Sequence, residues 1–173
     1  MMKYIISILI LVLSTLVSGQ GLNPFDSIDY DKVIAYEFQG EGARMITYCL
    51  ENEPRRISKT LELTESQLDP LLRILTSDSS YGNITAACFD PHLAIVYYRN
   101  EDILATIDIC LDCNYLSSSI EIPATKSKSI KVDEEFSYPA RGFSKATRNA
   151  IRKFCTDIGF TKYLKSFNPM FDE

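Results

Sequence analysis

Two apolar runs, Leu93–Tyr98 and Ile103–Cys110, are separated only by Arg99-Asn100-Glu101-Asp102. Strand-forming runs joined by a short polar gap predict a β-hairpin. With Asn100 and Glu101 at the turn centre, Tyr98 faces Ile103, Ala94 faces Ile107, His92 faces Ile109 and Cys88 faces Cys113. The open end of this hairpin therefore gathers three of the five cysteines and the one histidine. A slip of one residue would break the direct Cys88–Cys113 opposition without dispersing the cluster.

The other elements are read around it. Ser144 is an N-cap, and Ala146, Ala150, Ile151, Phe154 and Ile158 follow at helical spacing before Gly159, predicting a helix over 145–158 with Lys145, Arg148 and Arg152 on a solvated basic face. Leu68, Leu71, Leu72 and Leu75 predict a second helix over 65–76. Its start is ambiguous: Thr64 with Gln67 forms a capping box but leaves Pro70 inside, whereas Asp69 as N-cap puts Pro70 at the favoured first position. Asp31–Phe38 and Arg44–Leu50 flank Gln39-Gly40-Glu41-Gly42 and predict a second hairpin; Ile57–Leu63 and Ser118–Ile122 add strands. Strands interrupted by two well-spaced helices predict an α+β domain with an antiparallel sheet.

Lys3 precedes an apolar run from Tyr4 to Val17, then Ser18, Gly19 and Gln20. The run is shorter than the roughly 20 residues that span a bilayer, and Val17 with Gly19 places small residues before Gln20, so residues 1–19 read as a signal peptide and 20–173 as a single domain. The mature chain is then expected to be secreted or periplasmic, with no transmembrane span after cleavage.

The formal charge is -5, and one histidine with no tryptophan excludes any mechanism that needs two imidazoles. Residues 20–125 hold 7 Lys/Arg against 17 Asp/Glu, and residues 126–165 hold 10 against 4. This asymmetry suits a basic C-terminal part packed on an acidic remainder, and without interleaved aromatics it argues against nucleic acid as partner.

Cys88, His92, Cys110 and Cys113 form C-x3-H followed by C-x2-C, a tetrahedral set for structural zinc. Zinc requires both segments to turn, because extended chain would put Cys88 and His92 about 13 Å apart. Disulfide bonding among Cys88, Cys110 and Cys113 competes with metal, and suits an exported protein. A redox-active Cys110/Cys113 pair is the third reading, disfavoured by the poor helix formers after Cys113 and by the charge of Asp112. Catalytic zinc and haem attachment lack their flanking residues.

Cys88-Phe89-Asp90-Pro91-His92, Ile95-Val96-Tyr97-Tyr98, Ile109-Cys110-Leu111-Asp112-Cys113 and Gly142-Phe143-Ser144 together resemble a group of small exported bacterial proteins with a CxxPxH-like hairpin followed by CxxC and no established activity. The resemblance covers roughly residues 85–160. That group carries a basic residue between proline and histidine, where this chain has His92 directly after Pro91. The resemblance implies export and a cysteine-rich hairpin, not a reaction. The expectation is a binding or envelope-associated module rather than an enzyme, its partner unknown; the alternative is a thiol-disulfide or metal-handling protein acting through Cys110 and Cys113.

Overall fold

The computed structural model describes residues 23–164 and 169–171; the N-terminal apolar run and its expected cleavage point lie outside them. The fold is α+β. Its centre is a five-stranded antiparallel sheet in the order β2-β1-β4-β5-β6, built from β1 (Lys32–Phe38), β2 (Ile57–Glu62), β4 (Leu93–Arg99), β5 (Asp102–Cys110) and β6 (Tyr115–Ser118). Short strands β3 (Tyr81–Asn83) and β9 (Gly142–Phe143) pair with each other, as do β7 (Ser129–Lys131) and β8 (Ser137–Pro139). Among the described residues three α-helices complete it: α1 (Ile46–Asn52), α2 (Glu65–Leu75) and α3 (Lys145–Asp157).

Strand alternation divides the core. Val33, Ala35, Leu93, Ile95, Tyr97, Ala105, Ile107 and Ile109 face the larger apolar cluster, which the leucines of α2 and Ile151, Phe154 and Cys155 of α3 close. Tyr36, Phe38, Ala94, Val96 and Tyr98 face the opposite side, where Ile46 and Cys49 of α1 cover them. Near-continuous apolar runs in β4 and β5 follow from a sheet buried on both faces.

Both long helices form where their apolar spacing predicts. In α2 the capping box wins: Gln67 Oε1 accepts the Thr64 N–H at 3.0 Å, and the helix runs through Pro70. Pro70 and Ser66 are solvent-exposed, so the carbonyl that Pro70 leaves without a donor faces water. In α3, Ser144 Oγ accepts the Thr147 N–H at 3.3 Å.

Four expectations are corrected. The segment Arg44–Leu50 is not a strand, and Asp31–Phe38 does not pair with it; β-branched residues there give way to α1, whose Ile46 and Cys49 are buried one turn apart and whose first N–H, on Ile46, is accepted by Asp108 at 2.8 Å from β5. The last strand of the large sheet lies at Tyr115–Ser118 rather than Ser118–Ile122, because the chain leaves the sheet after Ser119 to bury Ile122. The hairpin register agrees at Tyr98–Ile103, then a bulge shifts it, so Ala94 faces Asp108 and Leu93 faces Ile109. Arg148 is fully buried, not on a solvated face, because it points into the turn at residues 111–114.

Candidate functional site

The cysteine end of the β4–β5 hairpin is built by backbone bonds between segments far apart in sequence. His92 donates its N–H to Ile109 O at 3.2 Å, and Phe38 N–H donates to His92 O at 3.2 Å. Gly40 N–H donates to Pro91 O at 2.9 Å, and a Cβ on Gly40 would lie 2.6 Å from the proline ring, so only glycine permits this approach. Asp90 Oδ1 accepts the Gly42 N–H at 2.8 Å. These contacts turn residues 88–92 back against the end of β1.

Cys88 and Cys113 are joined as a disulfide, their Cα atoms 5.6 Å apart, one of the pairings expected for the cluster. Cys110 is a buried free thiol between the two segments, donating to Asp90 O at 3.1 Å and receiving the Cys113 N–H at 3.2 Å. Burial pushes this thiol up to about 11. His92 Nδ1 lies 3.1 Å from Phe38 O, and since a carbonyl only accepts, Nδ1 carries the proton. Its Nε2 lies 3.7 Å from Asp112 Oδ2. Two of the four expected ligands are thus spent on each other, and the imidazole faces Asp112 and Tyr163, not the thiols. Among the described residues no three His, Cys, Asp or Glu side chains converge to hold a metal ion.

The turn after β5 is held by a residue that periodicity misassigned. Asn114, at φ 66°, is fully buried and donates through Nδ2 to Ile84 O at 2.9 Å and to Phe143 O at 3.3 Å. Arg148 Nη1 donates to Asn114 Oδ1 at 3.1 Å and to Leu111 O. Gly142 is obligatory beside them, since a Cβ there would come within 2.1 Å of Ile84 O. The β5–β6 turn, β9 and α3 therefore form one hydrogen-bonded block next to the disulfide.

Two concavities flank this block, and their sizes separate their uses. The first is lined by Glu37, His92, Asp112, Cys155, Phe160 and Tyr163 and holds about 30 Å³, room for a single water rather than a ligand. Tyr163 closes it by stacking on His92, centroids 4.4 Å apart and planes within 9°. Glu37 is buried there but satisfied, accepting Lys162 N–H at 2.7 Å and Ser58 Oγ–H at 3.1 Å. Burial pushes the Cys155 thiol up to about 12, so it is a poor nucleophile.

The second concavity is a groove of about 610 Å³, within the range of ligand sites. It is lined by the 85–87 segment, by β6, by Ile120, Ile122 and Lys126 from the stretch that follows, and by Arg141. The hydroxyl-bearing residues Thr85, Tyr115, Ser117, Ser118 and Thr125 are among its lining, with the Tyr115 and Thr125 hydroxyls donating to Cys88 O and Ile122 O at 2.8 Å. Because Ser119 N–H donates to Thr106 O, and Tyr115 and Ser117 stand opposite Cys110 and Asp108, register turns the backbone N–H and C=O groups of Leu116 and Ser118 away from β5, along the open sheet edge. No periodicity marks this groove; the sequence signal closest to it is the cluster Ser117-Ser118-Ser119.

No family model, curated protein or solved structure matches the chain. Its chemistry is therefore read from the site alone. Among the described residues no helix is long and apolar enough to cross a membrane.

Proposed function

We propose that the protein is an exported, disulfide-stapled binding domain that receives an extended polar ligand in the groove beside β6. The observation that carries this reading is the contrast between the two concavities: the groove is ligand-sized and bordered by hydroxyl-bearing residues and the open edge of β6, whereas the histidine site accommodates about one water. The Cys88–Cys113 bond anchors the segment that forms one wall of the groove, and suits an oxidising compartment. Export is further supported by the apolar run Tyr4–Val17 and by the resemblance to small exported bacterial proteins. The thiol-redox alternative is weakened because Cys113 pairs with Cys88 rather than Cys110, and because Cys110 is buried with a raised pKa.

The test has two parts. Expression of the whole chain followed by cell fractionation and N-terminal sequencing is expected to give an extracytoplasmic product that starts at Gln20. Thermal-shift titration of that product with acetylated tetrapeptides and with neutral and anionic oligosaccharides is expected to raise Tm for at least one probe, with the shift abolished in Ala87→Trp, which fills the groove from its exposed wall. Shifts that survive in Ala87→Trp, or no shift with any probe, sink the groove as the ligand site; a cytoplasmic, uncleaved product sinks export.

A further inference from the structure

The β7–β8 hairpin carries the largest unexplained apolar exposure in the described chain. Ile130 stands opposite Tyr138, and Val132 N–H bonds to Phe136 O at 3.0 Å, so these four side chains share one face of the hairpin by strand alternation. Val132 is 60% exposed, Phe136 56% and Tyr138 39%. Single exposed apolar residues are ordinary, but a contiguous face of them marks a contact surface. The hairpin is firmly rooted: Ala140 N–H donates to Lys128 O at 2.8 Å, Gly82 N–H to Ala140 O at 3.0 Å, and Lys128 Nζ to Tyr81 O at 2.7 Å. Its tip is also ordered, with Asp133 Oδ1 accepting the N–H groups of Glu135 and Phe136 at 2.9 and 2.7 Å.

Charge is polarised along the same arm. The tip reads Asp133-Glu134-Glu135, and the base carries Lys126, Lys128 and Arg141. Lys126 is paired with Glu121, but among the described residues the Arg141 guanidinium, Glu134 and Glu135 have no oppositely charged group within ion-pair distance. Tip and base of one arm cannot meet, because Asp133 lies five residues from Lys128 and Glu135 six from Arg141, which at about 3.3 Å per residue holds them about 17–20 Å apart.

We infer that the occupant of this face is a second copy of the chain, with two arms packed antiparallel about a two-fold axis. In that arrangement each apolar face covers its equal, and each acidic tip lies beside the partner's Arg141, so that one symmetric contact resolves both the exposed apolar face and the unpaired charges. An anionic membrane surface is the poorer fit, because the three tip carboxylates would be repelled by it. Four apolar side chains from each copy make an interface below the standard size, so the dimer is weak and reversible. The pairing needs no ligand in the β6 groove, although Arg141 borders both.

Sedimentation velocity on the mature chain tests this. The expected result is a monomer at about 1 µM and a twofold rise in mass toward about 300 µM, the range of a small interface. Arg141→Glu alone and Glu134→Lys/Glu135→Lys alone are expected to stay monomeric, because each sets like charges tip to base. An equimolar mixture of the two is expected to recover the dimer, since in the mixed pair both tip-to-base contacts are again opposite in sign. All the altered side chains are exposed, and near-ultraviolet circular dichroism confirms that each variant is folded. The inference is overturned if the wild type stays monomeric throughout, if either variant alone dimerises like the wild type, or if the mixture does not recover. Co-sedimentation with phosphatidylcholine vesicles, lost in Phe136→Ser, would assign the arm to a membrane and also overturn it.

Discussion

Asp108 shows how one residue connects sequence, fold and stability. It lies on a central strand, 1% exposed, with Oδ1 accepting the Ile46 N–H and Oδ2 without a hydrogen-bond partner among the described residues. Burial pushes its carboxyl up from 3.8 to about 6, the Ile46 bond opposing. A carboxyl raised in the folded state binds its proton more tightly there than when unfolded, so the native state gains stability as pH falls from above about 6 toward about 4, and loses it as Asp108 ionises. Asp108→Asn keeps an acceptor for Ile46 and removes the buried charge, at the cost of an amide with no evident partner. It is expected to raise unfolding stability at pH 8 by about 1–3 kcal/mol and to flatten the profile between pH 4 and 7. Urea unfolding across that range checks it; an unchanged pH profile would show that Asp108 does not titrate in the fold.

At the scale of elements, the disulfide ties the irregular 84–92 segment to the turn after β5, across a sequence separation of 25. Closing a loop of that length restricts the unfolded chain and is worth about 2–4 kcal/mol. Cys88→Ser/Cys113→Ser is expected to lose that much in chemical denaturation, with hydrogen exchange rising first at residues 84–92 and in β6. Equal protection in the variant would mean that Asn114, Arg148 and Gly142 hold the segment without the bond. The two long helices and strands β1, β2, β4 and β5 could be read from sequence because their signals are local: four leucines on one stripe, a Ser N-cap, two apolar runs around a polar gap. Strands β3, β7, β8 and β9 are only two or three residues long and carry no such signal. Helix α1 could not, because the group that accepts its first N–H belongs to Asp108, 62 residues away, and its seven residues have no strong periodicity of their own. The bulge between Tyr97 and Tyr98 was equally hidden, since it shifts register without changing composition.

Across the whole molecule, Cys49, Cys110 and Cys155 are free and buried in three different places: under α1, at the hairpin end and on α3. Burial raises the thiol pKa of all three, to about 11 for Cys110 and about 12 for Cys155. Iodoacetamide at pH 8 is therefore expected to label none of them in the native state and all three together as the protein unfolds. Selective early labelling of Cys110, read by peptide mass mapping, would reopen thiol chemistry at that position. The α+β class, the two long helices, the central hairpin and the gathering of Cys88, His92, Cys110 and Cys113 at its open end follow from side-chain period and chain connectivity, which a linear sequence carries. That Cys88 bonds to Cys113, that Arg148 points inward, and that the groove beside β6 is open while the histidine cavity is small emerges only once the chain is folded. Those outcomes depend on which distant backbone carbonyls, rings and thiols meet in three dimensions, and that information is not carried by the local order of residues.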